Sequence, residues 1–256
     1  MPERPDLSLI EQTFIHLDGI GHRTERRLWD RGIRTWRDFL DRNRMVFSPG
    51  RDAAIRGVLK ESIAHRDDPG WFWERLPAQE TWRLFGDFGH DACYLDIETA
   101  GLDFGMDEIT VIGLYGKRGP ESFVAGFNLD DFEAAVADYG MVVTFNGAGF
   151  DLPFIRRAFP NIWLPKAHID LRFVLRKLGL TGGLKKIEHE TGISRSADID
   201  GLNGLDAVYL WRNWQNGDRE SLDRLVAYNR ADAENLEPLM NLAFERLLHR
   251  DFPQKD

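Results

Sequence analysis

The sequence predicts an α/β fold, a mixed sheet flanked by helices, preceded by a small all-α amino-terminal domain. Three observations carry this reading. Short apolar runs of strand length recur after residue 91, at 92–96, 109–115, 122–125, 141–145 and 167–170. The first three follow one another in series, whereas the last two alternate with helical segments, which is the order of a mixed sheet covered on both faces. Before residue 67 the apolar positions follow helical spacing instead.

Taken in order, Leu9, Ile10, Phe14 and Ile15 predict a first short helix, and Leu28, Trp36, Phe39 and Leu40 fall in the helical pieces after it. Between them lies Leu17-Asp18-Gly19-Ile20-Gly21. Two glycines flanking one apolar residue make a tight turn with exposed backbone N–H groups. A second helix is expected to start near Thr24, a suitable cap. Residues 67–90 open on the turn signal Asp67-Asp68-Pro69-Gly70 and then carry Trp71, Phe72, Trp73 and Trp82. That many large aromatics fit a linker packed on a neighbour, not a free tether. Asp130-Asp131 begin a helix running to about residue 139, and the chain after residue 170 is mostly helical, ending in one long helix over 222–248. The expected organisation is a helical module at 1–66, an aromatic-rich linker at 67–90 and an α/β domain at 91–250.

Of 256 residues, 43% are hydrophobic and 12% aromatic, enough for a core and far from a disordered composition. No apolar run approaches the ~20 residues that cross a bilayer, and the first residues lack the layout of a secretory signal. A single cysteine, Cys93, excludes an internal disulfide framework and a cysteine-based zinc site. These features set the expectation of a soluble, cytoplasmic protein without membrane partners. The net charge of −9 hides a split: residues 19–66 hold 12 Lys/Arg against 6 Asp/Glu, and the remainder holds 21 against 36. A basic piece beside an acidic one fits a phosphate-binding module attached to a carboxylate-rich site that needs cations. Ordinary variation of charge along a chain is the plain alternative.

Three acidic signals stand in the second part. Asp96-Ile97-Glu98-Thr99 ends a predicted strand, and alternation puts Asp96 and Glu98 on one face. Carboxylates that close repel each other unless a cation lies between them, and oxygen-only donors suit Mg²⁺ or Mn²⁺; a solvated acidic pair is the ordinary alternative. Asn146-Gly147-Ala148-Gly149-Phe150-Asp151 is a glycine-rich turn leading into a helix, where Asp151 also fits a helix cap and Asn146 a turn residue. Tyr228 and Asp232, four apart in a helix, share a face that Leu225 and Leu236 make apolar. An aspartate there costs several kcal/mol unless paired or metal-bound; a half-exposed helix surface is the alternative.

In order and type these motifs resemble the DEDD family of ribonuclease-H-like 3′→5′ exonucleases, in particular the proofreading domains of family B DNA polymerases and the YprB-type stand-alone exonucleases. Asp96-Ile97-Glu98-Thr99, Asn146 through Phe150-Asp151, and Tyr228 through Asp232 match that pattern without departure, over roughly residues 91–245. Gly182-Gly183-Leu184-Lys185 looks like a YprB-type feature, and Tyr228 matches the tyrosine subgroup. The resemblance implies a ribonuclease-H-like sheet and two divalent cations, Mg²⁺ or Mn²⁺, held by Asp96, Glu98, Asp151 and Asp232. It implies that Tyr228 orients the attacking water and that Thr99, Leu102, Asn146 and Phe150 lie at the substrate. Phe150 fits a core role equally well, and Asn146 fits a brace of the turn. Asp170, at another predicted strand end, reads as a structural cap. No small organic cofactor is implied.

Leu17 through Gly21 resembles a helix-hairpin-helix motif, which implies phosphate contacts from the backbone of Gly19 and Gly21, joined by His22, Arg23, Arg26 and Arg27. The expected partner is therefore nucleic acid with a free 3′ end, DNA in preference to RNA. The rival readings are a non-catalytic DNA-binding protein and a structure-specific endonuclease of the same fold. A full set of four carboxylates disfavours the first, and Tyr228-x-x-x-Asp232 disfavours the second.

Overall fold

In the computed structural model, which describes residues 8–101 and 108–252, the five predicted runs pair into one sheet. The strands are β1 (Ala92–Thr99), β2 (Ile109–Gly116), β3 (Gly119–Val124), β4 (Met141–Thr144) and β5 (Ala167–Asp170), in the spatial order β3-β2-β1-β4-β5. The strands in series are antiparallel, and those separated by helices are parallel. This is the expected mixed sheet. A tight turn can only reverse the chain, whereas a parallel partner needs a crossover. β4 and β5 are buried along their whole length, as parallel strands under helices must be.

The helices are α1 (His22–Asp30), α2 (Trp36–Leu40), α3 (Pro49–Ala64), α4 (Pro69–Trp73), α5 (Phe85–Phe88), α6 (Phe132–Val136), α7 (Asp151–Ala158), α8 (Leu171–Lys177), α9 (Leu184–Thr191), α10 (Gly204–Gln215), α11 (Arg219–Glu234) and α12 (Leu236–Asp251). Three expectations are corrected. The first predicted helix is only a 3-10 turn at Ile10–Gln12. Beyond it the Gln12 and Thr13 carbonyls accept from the indole N–H groups of Trp29 and Trp36, and the Phe14 N–H donates to Glu25, so tertiary bonds replace a helical ladder. The next helix starts at His22 with Gly21 as its cap, which places Thr24 inside it. The long terminal helix is two, broken at Asn235. Pro238 explains the break: it has no N–H for the Glu234 carbonyl, and its ring crowds that group.

Alternation along β1 builds the two faces of the core. Cys93, Leu95 and Ile97 join Phe132, Val136, Phe154 and Ile155 under α6 and α7. Ala92 and Tyr94 point the other way, into a cluster with α8, α12 and the amino-terminal helices. Asp96 and Glu98 share the parity of Tyr94, so they emerge on the face crossed by α11.

One apolar cluster runs from Leu9, Phe14, Leu28 and Trp36 through Trp71, Phe72 and Trp82 to Met141 and Leu247. A buried charge network follows the same path. Arg83, fully buried, donates to both Glu25 carboxylate oxygens at 2.9 and 3.0 Å, to Glu80 at 3.0 Å and to Thr13 at 3.4 Å. Glu80 in turn accepts from Lys177 of α8 and lies 3.1 Å from the His22 ring. Removing one partner of a buried, hydrogen-bonded ion pair leaves an uncompensated charge and typically costs about 3–5 kcal/mol. Arg83→Met is therefore expected to lower the unfolding free energy by about that much in urea denaturation. A loss below about 1 kcal/mol would mean that the network does not hold the amino-terminal helices to the sheet.

Candidate active site

Ligand-capable oxygens of Asp96, Glu98 and Asp232 all lie within 4.8 Å of one another. Two come from β1 and one from α11, so the cluster exists only because α11 crosses the sheet beside β1. Gly113 of β2 pairs with Asp96 across the strands, and a Cβ at Gly113 would meet the Asn229 side chain at 2.6 Å. The missing side chain admits α11 to the sheet. Asn229 then donates through Nδ2 to the Asp96 carbonyl at 3.1 Å and to its carboxylate at 2.9 Å. The β1–β2 register shifts between Glu98 and Thr99, a bulge that re-aims the end of the strand beside the site.

Asp151 comes from the turn after β4. Its carboxylate does not cap α7; Oδ1 accepts from the Ile97 backbone N–H at 3.1 Å, which turns the side chain toward β1. The turn before it is fixed by Asp170, whose carboxylate accepts from the N–H groups of Asn146, Ala148 and Arg172. Asp170 is thus a brace and a cap of α8. Asn146 takes a positive φ of 67° and accepts from the Arg172 guanidinium.

Burial and mutual repulsion dominate the electrostatics. Removal from water, then Asp232 and Asp151, hold the Asp96 carboxyl well above the usual carboxylate range. Burial and then Asp232 do the same to Glu98. Burial raises Asp151 to about 7. Burial also raises Asp232, against the pull of Arg195 and Lys185. Two cations partly offset this charge. Arg195 pairs with Asp232 and with Glu188, the latter at 2.7 and 2.8 Å. Lys185 donates to the Tyr228 hydroxyl and lies 4.2 Å from its ring centre, and burial lowers its pKa. Because Arg195 is shared with Glu188, the compensation is incomplete. A set of crowded, raised carboxylates offering only oxygen fits Mg²⁺ or Mn²⁺.

Of the remaining sequence candidates, Tyr228 is buried one turn before Asp232, so neither forms the half-exposed surface of the plain alternative. Thr99 is buried, and its hydroxyl donates to the Gly101 carbonyl. Leu102 lies outside the described residues. Phe150 is half-buried and packs on Phe154, with ring centres 4.8 Å apart. In the amino-terminal turn Gly19 has a φ of 70° and its carbonyl accepts from Arg51. Gly21 caps α1, and Arg23 is exposed. The His22 ring lies 3.1 Å from a Glu80 carboxylate oxygen, and its side chain stays about half exposed. Asn229, Arg195 and Glu188 were not evident from sequence; of these only Asn229, three residues before Asp232 on one helical face, left a signal.

The upward shifts have a definite sign. With no metal bound, the folded chain holds protons that the unfolded chain releases. The cost of ionising the cluster is absent below the ordinary value of 3.8 and grows as pH rises through the folded value, about 7 for Asp151. Saturating Mn²⁺ is expected to raise the melting temperature by about 5 °C or more, and by more at about pH 8 than at about pH 5.5. Glu98→Gln should be more stable than the native chain in chelator and lose most of the Mn²⁺ response. Equal shifts at both pH values, or an unaltered response in the variant, would contradict a metal at this cluster.

The family model RNase_H_2, of the RNase H superfamily, matches residues 93–244. No curated protein sequence matches the chain. Among solved structures, the family B DNA polymerase from the hyperthermophilic archaeon Pyrobaculum calidifontis is similar at 17% identity and a TM-score of 0.47, over 61% of this chain and only 24% of the polymerase. Brucella melitensis NrnC with bound Mg²⁺ is similar at 23% identity and a TM-score of 0.43, over 65% of this chain and 78% of NrnC. The Aedes aegypti Nibbler EXO domain is similar at 16% identity and a TM-score of 0.37, over 62% and 80%.

Proposed function

The chain belongs to the RNase H superfamily, and we propose that within it the chain is a metal-dependent 3′→5′ exonuclease that releases nucleoside 5′-monophosphates from DNA in preference to RNA. The observation that carries this reading is the convergence of Asp96, Glu98 and Asp232, with Asp151 turned toward the same strand. When bound there, two divalent cations would lower the pKa of a water nucleophile and neutralise the leaving 3′-oxygen. The polarity rests on the tyrosine-type motif of Tyr228 and Asp232.

The residues have distinct tasks in this reading. Burial keeps the Tyr228 phenol well above its ordinary range, so it stays protonated. Its oxygen already accepts from Lys185, which leaves the hydroxyl hydrogen to donate to the attacking water. Lys185 adds positive charge where negative charge develops on the phosphate. Asn229 fixes the Asp96 carboxylate, and Arg195 fixes that of Asp232. Outside the site, α1 presents exposed Arg23, Arg26 and Arg27 beside the Gly19–Gly21 turn, a surface suited to phosphates farther along the strand.

Asp96→Ala should abolish Mg²⁺- or Mn²⁺-dependent release of mononucleotides from a 5′-labelled strand, and a 3′-blocked strand should resist the native enzyme. Wild-type rates in the variant would reject the assignment. Tyr228→Phe should lower kcat by about tenfold to a hundredfold with little change in affinity; a change confined to affinity would remove the water-orienting role. The double variant Arg23→Glu, Arg26→Glu should weaken binding of a long single strand and reduce its salt slope by about 0.7 per lost contact. An unaltered salt slope would separate α1 from the substrate.

A further inference from the structure

We infer that the groove between α8 and the turn before α9 is a second anion site, which holds a backbone phosphate of the nucleic-acid strand upstream of the bond being cleaved. The inference rests on the nuclease reading and goes beyond it, since none of the metal-site residues lines the groove.

The groove is a cavity of about 790 Å³, within the size range of ligand sites. Arg172 and Arg176, one turn apart on α8, stand on one side, and Gly182 and Gly183 on another, with Asn146 and Gly204 at its margin. None of its lining residues is acidic. That is a distinction in a chain of net charge −9: three other surface cavities each include at least one carboxylate. Both arginines are exposed, and Arg172 is held by the Asn146 side chain. The two guanidinium groups can therefore reach an anion without first leaving a carboxylate partner. The glycine pair presents backbone without side chains, as close approach of a phosphate requires.

Position selects the ligand. Two chain segments run from the groove to the carboxylate site. Asn146 opens the turn that ends in Asp151, and Gly183 lies two residues before Lys185, which touches Tyr228. A strand whose terminal phosphodiester lies at the carboxylates can enter this groove with its next phosphates. The groove thus favours substrates of several nucleotides over single phosphodiesters.

The test uses the full chain with Mn²⁺ and two substrates: a 5′-labelled single-stranded 12-mer, and the p-nitrophenyl ester of thymidine 5′-monophosphate, which has no upstream phosphate. Arg176→Glu is expected to lower the ratio of kcat/KM for the 12-mer to that for the ester by about tenfold, chiefly through KM. Arg246→Glu, an equal charge change at an exposed position on α12, should keep the native ratio. Fluorescence anisotropy of the 12-mer in chelator provides a readout without turnover, and there Arg176→Glu should weaken binding while Arg246→Glu should not. Loss of both activities in the native protein would reject the nuclease reading alone, and the anisotropy would still decide the groove. A native ratio together with native affinity in Arg176→Glu overturns the groove as a phosphate site.

Discussion

Three carboxylates within 4.8 Å of one another, Asp96 half-buried and Glu98 and Asp232 buried, are the constraint around which the molecule is organised. Left in water, Asp96, Glu98 and Asp232 would separate, because each ionised group raises the cost of ionising the next. They stay together because two of them alternate along a strand in the middle of a five-stranded sheet and the third is fixed to a helix lying across that sheet. The folded chain thus accepts electrostatic repulsion at one place and stabilises it with packing elsewhere. Lys185 and Arg195 reduce the repulsion without removing it, and the residual demand for positive charge is what suits the site to a divalent cation.

That arrangement needs rigid support. Gly113 and Asn229 let α11 approach the sheet and tie it to Asp96. Asp170 gathers two backbone N–H groups of the turn that delivers Asp151, those of Asn146 and Ala148, and caps α8 through that of Arg172. Glu188 anchors Arg195 and also accepts from Asn235 at the junction of α11 and α12. Farther away, Arg83 joins Glu25 and Glu80, so the basic amino-terminal helices and the acidic site belong to one packed body.

Much of this was legible in the sequence. The five apolar runs were strands, and the two series, one uninterrupted and one alternating with helices, formed the mixed sheet they implied. Period-two alternation put Asp96 and Glu98 on one face, as found. The errors share a cause. Leu9, Ile10, Phe14 and Ile15 have helical spacing, yet the Trp29 and Trp36 indoles take the carbonyls a helix would use. The last helix reads as continuous in hydrophobicity, and the single missing N–H of Pro238 divides it.

The sequence by itself determined the strands and the order of the acidic motifs, because strand alternation and helical spacing are local properties of a chain, whereas the choice of carboxylates came from the resemblance that those motifs carry. Only the tertiary structure decided that Asp151 turns back to β1 instead of capping its own helix, that Asn229 clasps Asp96, and that Arg195 and Lys185 stand among the acids. Those contacts join residues far apart in the chain, and no periodicity encodes them. The same holds for the groove beside α8: Arg172 and Arg176 follow no motif in the sequence, and only folding brings them beside the Gly182-Gly183 pair in a groove without a carboxylate.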